Sequence, residues 1–461
     1  MMTASPSPSS LAMIERLVGF DTTSHRSNLD AIAFIKDHLE RMDARCRLTF
    51  DDERRKANLY ATLGPTDRPG IMLSGHTDVV PVDGQDWTSD PFTLTQRDGK
   101  LFGRGAADMK SFIALCLSLA PEFIERGLET PIHFSFSYDE EIGCVGVRRL
   151  IHDIAGLPIR PKLCIVGEPT GMKVVAGHKG KKSLRCHVHG KECHSSQAEA
   201  DGVNAVEAAA EVIAHIKQMQ RRIRRDGPFD PAYQPAYTTL HTGIVNGGHA
   251  VNIVPRDCWF DFEIRALPHQ DSDVLYGEIL SFAHDHVEPE MKAIAAATGF
   301  EFHVVNDTAG FDLPDDHPAV RFVTGLTGDN ATGRVSFGTE AGLFNRAGVP
   351  TVVCGPGHIE QAHKPDEFIS LDQVAQGEAF LRRLMEHVWL RRPGSDVFDV
   401  YVVGALAVMV EPAGSHRHDV LQADIGRVLE KLRLMLQKAL IGGKIVVHQF
   451  RPAFAHGDLH L

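Results

Sequence analysis

The sequence predicts an α/β protein: a mostly parallel sheet flanked by helices, interrupted by an inserted α+β domain. Three observations carry this. Short apolar runs alternate with helical stripes up to residue 177 and again from residue 313. Several of these runs end on a metal-ligating side chain, as strands do where an α/β sheet opens its carboxyl edge. Between the two stretches, residues 178–312 change to half-polar strands and long amphipathic helices.

Along the chain, Ile32, Ile35, Leu39 and Met42 recur at helical spacing. Ile71 to Ser74, Ile132 to Tyr138 and Leu163 to Val166 are bounded by Pro, Gly or charge and read as strands, with a helix over Ser111 to Leu119. From His178, KKSLRCHVHG reads as an exposed strand with polar alternation. A helix follows, with Val206, Ala209, Ile213 and Ile216 on one face. TTLHTGIVNGG and CWFDFEIRAL read as two further strands, and a second helix is expected over about Asp273 to Ala296. This β-α-β-β-α-β rhythm defines the insert. Beyond it, Gly348 to Cys354 reads as a strand. Ser370 opens a helix with Gln373 completing a capping box and Ile369 and Val374 as its staple.

Residues 395–461 form a separate extension. Val397 to Val410 and Lys444 to Val447 read as strands, and Leu421, Ile425, Val428, Leu432 and Met435 as a helical stripe. Nothing there carries chemistry, so a docking or oligomer-forming role is expected.

Composition narrows the function. The chain has 461 residues, 43% hydrophobic and 23% charged, the profile of a soluble globular protein. Its net charge of -12 argues against binding nucleic acid or anionic membranes. The eight cysteines form no C-x-x-C pair, so neither a thiolate zinc site nor a redox motif is expected. The opening MMTASPSPSS has no basic-then-apolar pattern, and Val400 to Val410 is too short to span a bilayer. A cytoplasmic location is the expectation.

The chemistry lies in five segments. LSGHTDVVP places His76 and Asp78 past a strand, and GRGAADMKS puts Asp108 at a helix start. Taken alone, Asp108 reads as a helix cap. SYDEEIG brings Asp139, Glu140 and Glu141 together, VGEPTG carries Glu168, and GPGHIEQAHKPDEF carries His358 and His363. His76, Asp108, Glu141, Glu168 and His363 make a ligand set for two divalent cations sharing one carboxylate, which points to hydrolysis by an activated water. Glu140, left free beside Glu141, would move protons.

In this order, GHTDVVP, GRGAADMK, DEEIG, GEPT and QAHKPDE resemble the zinc-dependent aminoacylase and carboxypeptidase family over about residues 10–390. That family includes acetylornithine deacetylases, succinyl-diaminopimelate desuccinylases, aminoacylases and dipeptidases. The segments GPGHIEQAHKPDEF and GVNAVEAA after CHSS are most similar to its acetylornithine deacetylase branch.

The resemblance implies a zinc-peptidase-like catalytic domain, 1–177 with 313–394, and a ferredoxin-like lid and dimerisation domain, 178–312. It implies two cations, zinc or else cobalt or manganese. His76 and Glu168 would hold one, Glu141 and His363 the other, and Asp108 would bridge. Asp78 would orient His76, and Glu140 would be general base and then acid. His194, in GKECHSS, would polarise the substrate carbonyl across a homodimer. Asn252 and Arg265 would hold the substrate carboxylate. Glu340, in SFGTEAGLF, is expected to read a cationic side chain. The implied substrate is a small N-acyl amino acid, N2-acetylornithine first. Succinyl-diaminopimelate, other acyl amino acids or dipeptides are alternatives, and a non-catalytic binding protein is a remote one.

Overall fold

Four strands lie side by side with every residue buried: Ala57–Leu63, Ile132–Ser137, Ile71–His76 and Leu163–Val166. A strand buried throughout is covered on both faces, as the near-continuous apolar runs require. This computed structural model describes residues 5–389. The expected strands and helix of 395–461 lie outside the described residues.

The main sheet runs in the order Arg45–Phe50, Ala57–Leu63, Ile132–Ser137, Ile71–His76, Leu163–Val166, Thr351–Val353, Val174–His178, Phe311–Asp312, with Thr332–Val335 also on Val174–His178. Its centre is parallel: Ile71–His76 pairs in parallel with Ile132–Ser137 and Leu163–Val166, and the latter with Thr351–Val353. Antiparallel pairings flank that centre. Helix Lys110–Ile124, buried along most of its length, packs against Pro8–Val18, Leu29–Glu40 and Leu371–Val388. Gly167 makes that packing possible, because a Cβ there would lie 2.1 Å from the Phe112 ring. It lets the turn that carries Glu168 close onto the helix.

The second sheet draws all its strands from the insert, in the order Thr239–Gly247, Asp257–Ala266, Gly180–His189, Gly299–Thr308. All its pairings are antiparallel. Helices Ala205–Asp226 and Ser272–Phe282 cover one face, around a separate apolar cluster that includes Leu184, Val212, Phe260 and Ile279. The spatial order second-third-first-fourth is the ferredoxin-like one.

Three local expectations change. Gly180–His189 is an inner strand, and Leu184, Cys186 and Val188 are buried beneath the polar alternation that made it read as exposed. The second helix of the insert is interrupted by a wide turn, Ala283–Val287, before Glu288–Ile294. Pro289 lacks the N–H that would continue the regular ladder. The capping box at Ser370 is half made: Ser370 accepts the Gln373 N–H at 3.2 Å, but the Gln373 side chain accepts from Gly357 instead. No described helix is long and apolar enough to cross a membrane.

Candidate metal centre

Four of the five ligand candidates lie at or just beyond the end of a buried element, and the fifth lies on a turn. His76 is the last residue of its strand, and Glu168 lies two residues past Val166. Glu141 follows strand Ile132–Ser137 by four residues. Asp108 precedes helix Lys110–Ile124 but does not cap it: Met109 occupies the cap position and no side chain caps the end. His363 comes from the turn before strand Phe368–Ser370, with a left-handed φ of 63°.

These side chains converge in two groups, His76 with Asp108 and Glu168, and Asp108 with Glu141 and His363. In each group one ligand atom per residue lies within 4.8 Å of the others. Asp108 belongs to both: Oδ1 is 3.0 Å from His76 Nε2, and Oδ2 is 3.3 Å from His363 Nε2. His363 Nε2 is also 3.0 Å from Glu141. Two imidazoles and three carboxylates at this spacing suit two divalent cations bridged by one carboxylate. His358, the other histidine of its segment, belongs to neither group.

The electrostatics fit a cation site. Burial pushes Glu141 up to about 8, with Asp108 beside it adding to the rise. Glu168 is raised in the same way. Hydrogen bonds to Asp108 and Glu141 lift His363 to about 10. Burial opposes the ionisation of Asp108, yet His363 and His76 hold it well below the usual carboxylate range. Crowded carboxylates of this kind hold protons until cations replace them.

Glu140 is left out of both groups. Burial raises it to about 7, and Glu340, Asp108 and Asp78 add to this against the pull of His76. The Cys144 thiol donates to its Oε1 at 3.3 Å. A carboxyl group titrating near neutrality beside the ligands is suited to accept and return a proton.

Asp78 holds the His76 ring by a route different from the expected one. His76 Nδ1 donates to the Asp78 backbone carbonyl at 2.9 Å, while the carboxylate stays 3.7 Å away. This bond fixes the tautomer that leaves Nε2 free for a ligand. The Asp78 carboxylate instead accepts from Ser24 Oγ and from the backbone N–H groups of Glu140 and Glu141.

Glu340, expected to read a cationic side chain, packs against strand Ile132–Ser137. It is 1% exposed, one oxygen accepts from Ser137, and the other has no protein partner. Its nearby charge helps to raise Glu140. Burial lifts Glu340 itself to about 7.

The insert residues lie apart from these contacts. His194 bonds Ser196, and its neighbour Ser195 donates to the Asn252 carbonyl at 3.0 Å, so His194 and Asn252 adjoin. Arg265 forms a fork with Glu263 at 2.9 and 3.3 Å. Among the described residues, none of the three shares a hydrogen bond or ion pair with the five ligand candidates.

Sequence reasoning missed Glu367 and Arg104, a fully buried pair at 2.7 Å behind Asp108. Both stand inside segments already singled out. The signal was a charged residue in each, at positions that the ligand count did not need.

Residues 72–387 match the sequence model of peptidase family M20/M25/M40. The chain belongs to this family. An acetylornithine deacetylase of Proteus mirabilis is 35% identical over 374 residues, covering 80% of this chain and 92% of that protein. Among solved structures, aminopeptidase PepT of Bacillus cereus superposes with a TM-score of 0.63 at 20% identity, over 82% of this chain and 97% of its own. The YXEP protein of Bacillus subtilis, described as a dinuclear metal binding peptidase of the M20 family, gives 0.53 at 15% identity, over 82% and 96%. These two structures bear on the fold alone. As an M20 member with two metal-competent groups, the chain is a metal-dependent amide hydrolase.

Proposed function

We propose that this M20 hydrolase removes the acyl group from a small N-acyl amino acid, N2-acetylornithine first, to give ornithine and acetate. The observation that carries the reading is Glu140: half-buried, outside both ligand groups, and held beside them by the Asp78 turn. When bound, two divalent cations, zinc by preference and cobalt or manganese as alternatives, supply Lewis acidity that lowers the pKa of water. Glu140 takes the proton of the attacking water and returns it to the leaving amine. His76, Asp108, Glu141, Glu168 and His363 hold the cations, and Asp78 positions both His76 and Glu140.

The insert, 178–312, is assigned as a lid and dimerisation domain, closing on the site formed by 1–177 and 313–394. His194 would donate to the substrate carbonyl, and Asn252 and Arg265 would hold its carboxylate. The adjacency of His194 and Asn252 supports this, since one segment could then present both groups. Arg265 would exchange Glu263 for the substrate. Exposed Ile244, Val245, Val251 and Ile253 on and beside strand Thr239–Gly247 support a homodimer through the insert. A cytoplasmic enzyme of arginine biosynthesis is the setting that fits this substrate.

Acetylornithine is preferred because the Proteus mirabilis relative named for that activity is 35% identical over most of both chains. A panel of acetylornithine, acetylmethionine, succinyl-diaminopimelate and a dipeptide tests it with the metal-loaded enzyme. The highest kcat/KM should fall on acetylornithine. A preference for another member reassigns the substrate, and no turnover of any would leave a binding protein.

A further inference from the structure

His76 and His363 are held in opposite ways. The His76 ring is fixed through its second nitrogen, which bonds the Asp78 carbonyl at 2.9 Å. Among the described residues His363 has no such bond: its ring meets Asp108 and Glu141, both through Nε2. Its side chain is 53% exposed and its backbone left-handed, at φ 63°. A metal-binding imidazole ordinarily gains its orientation from a partner on the other nitrogen. Here the backbone must supply it.

That backbone is tied to Asp108 through a buried brace. Glu367 Oε1 accepts the N–H groups of Ala107 at 2.8 Å and Asp108 at 3.0 Å. Its Oε2 accepts Arg104 Nη1 at 2.7 Å and the Gly105 N–H at 3.1 Å. The Glu367 carbonyl accepts the Gly103 N–H at 2.9 Å. Arg104 Nη2 then donates to Gln85 Oε1 at 2.6 Å, and Gln85 Nε2 donates to the His363 carbonyl at 3.1 Å. The side chains of Arg104 and Glu367 are each 1% exposed.

A buried ion pair serving stability alone would not have this pattern. Three of the four donors to the Glu367 carboxylate are backbone N–H groups of the Asp108 turn, and the remaining donor leads on to His363. We propose that Glu367 is a positioning residue that sets the spacing between Asp108 and His363 and so holds the second cation position. The first position shares Asp108 but depends on the brace less, because its other two ligand candidates, His76 and Glu168, stand on strands of the main sheet or just beyond them. The proposal rests on the two-cation reading.

Glu367→Gln and Gln85→Ala test it in the metal-stripped full-length protein. Zn2+ binding is followed by competition calorimetry, and bound metal is counted by elemental analysis. Wild type should take two equivalents. In both variants the first equivalent should bind within about 3-fold of wild type, and the second should weaken by roughly 10- to 100-fold. Equal weakening of both equivalents would mean a general loss of stability and overturn the proposal, as would an unchanged second equivalent in folded Glu367→Gln. If circular dichroism shows Glu367→Gln unfolded, Gln85→Ala decides alone by the same criterion. A wild type that takes only one equivalent would instead overturn the two-cation reading, and the proposal with it.

Discussion

The carboxylate of Asp78 accepts the backbone N–H of Glu140 at 3.0 Å. Its other oxygen accepts from Ser24 Oγ at 2.8 Å and from the Glu141 N–H at 3.3 Å. One side chain thus places the proposed proton carrier and a ligand candidate, while the backbone of the same residue orients His76. Asp78→Ala should therefore lower kcat by about 100-fold, the typical cost of misplacing a reacting group by an ångström. Binding of the first cation should stay within about 3-fold, because the carbonyl that holds His76 survives the substitution. Loss of the first equivalent in a Zn2+ titration would show that the carboxylate, 3.7 Å from the ring, matters more than the carbonyl.

Glu140→Gln keeps the shape of the side chain and removes its basicity. Turnover should fall by at least about 10² to 10⁴-fold, the range of general acid–base catalysis. Bound metal should stay near two equivalents, since Glu140 lies in neither ligand group. Near wild-type turnover at full metal loading would end the assignment. Reduced metal content would move Glu140 into the ligand set.

The convergence of the ligand candidates was legible because strand ends in an α/β sheet share an edge. His76 and Glu168 needed only a strand reading and that rule. The place of Asp108 in both groups was legible only through the family resemblance, since a helix-start aspartate taken alone reads as a cap. The structure gives that cap position to Met109 and turns Asp108 toward both histidines. Asp78 was read with the right neighbour but the wrong atoms, because spacing in sequence does not separate a carbonyl from a carboxylate. The burial of Glu340 beside Ser137 was not legible, because no local pattern around it reports which strand it packs against. The Glu367–Arg104 brace joins positions 263 residues apart, which no local pattern reports.

Cation binding should release protons. Without cations, His363 titrates at about 10 and Glu141 at about 8, so both carry protons at pH 7. Ligation requires the neutral imidazole and the carboxylate. Zn2+ binding at pH 7 should therefore release at least about two protons per protein, read from calorimetry in buffers of different ionisation enthalpy. The release should shrink as pH rises past 8, where Glu141 is already ionised. His363→Ala should remove about one of these protons together with the second equivalent. Proton uptake, or a release that grows with pH, would contradict this charge assignment.

His178 gives a pH dependence outside the ligand set. Its Nδ1 donates to the Lys179 carbonyl at 2.9 Å, and its Nε2 accepts the N–H groups of Thr339 at 3.2 Å and Gly342 at 3.3 Å. A proton on Nε2 would turn this acceptor against two donors, and burial already holds the ring down at about 4. The unfolded chain takes up that proton near 6.5 while the folded chain does not. Between the two values the unfolded state binds more protons, so this contribution to stability is complete above about 6.5 and is lost as pH falls toward 4. Its slope reaches at most about 1.4 kcal/mol per pH unit. His178→Gln cannot titrate, so the stability gap between wild type and variant in urea melts should narrow between pH 7 and pH 5. A gap of constant size would mean that His178 is charged in the folded protein, which its two backbone donors forbid.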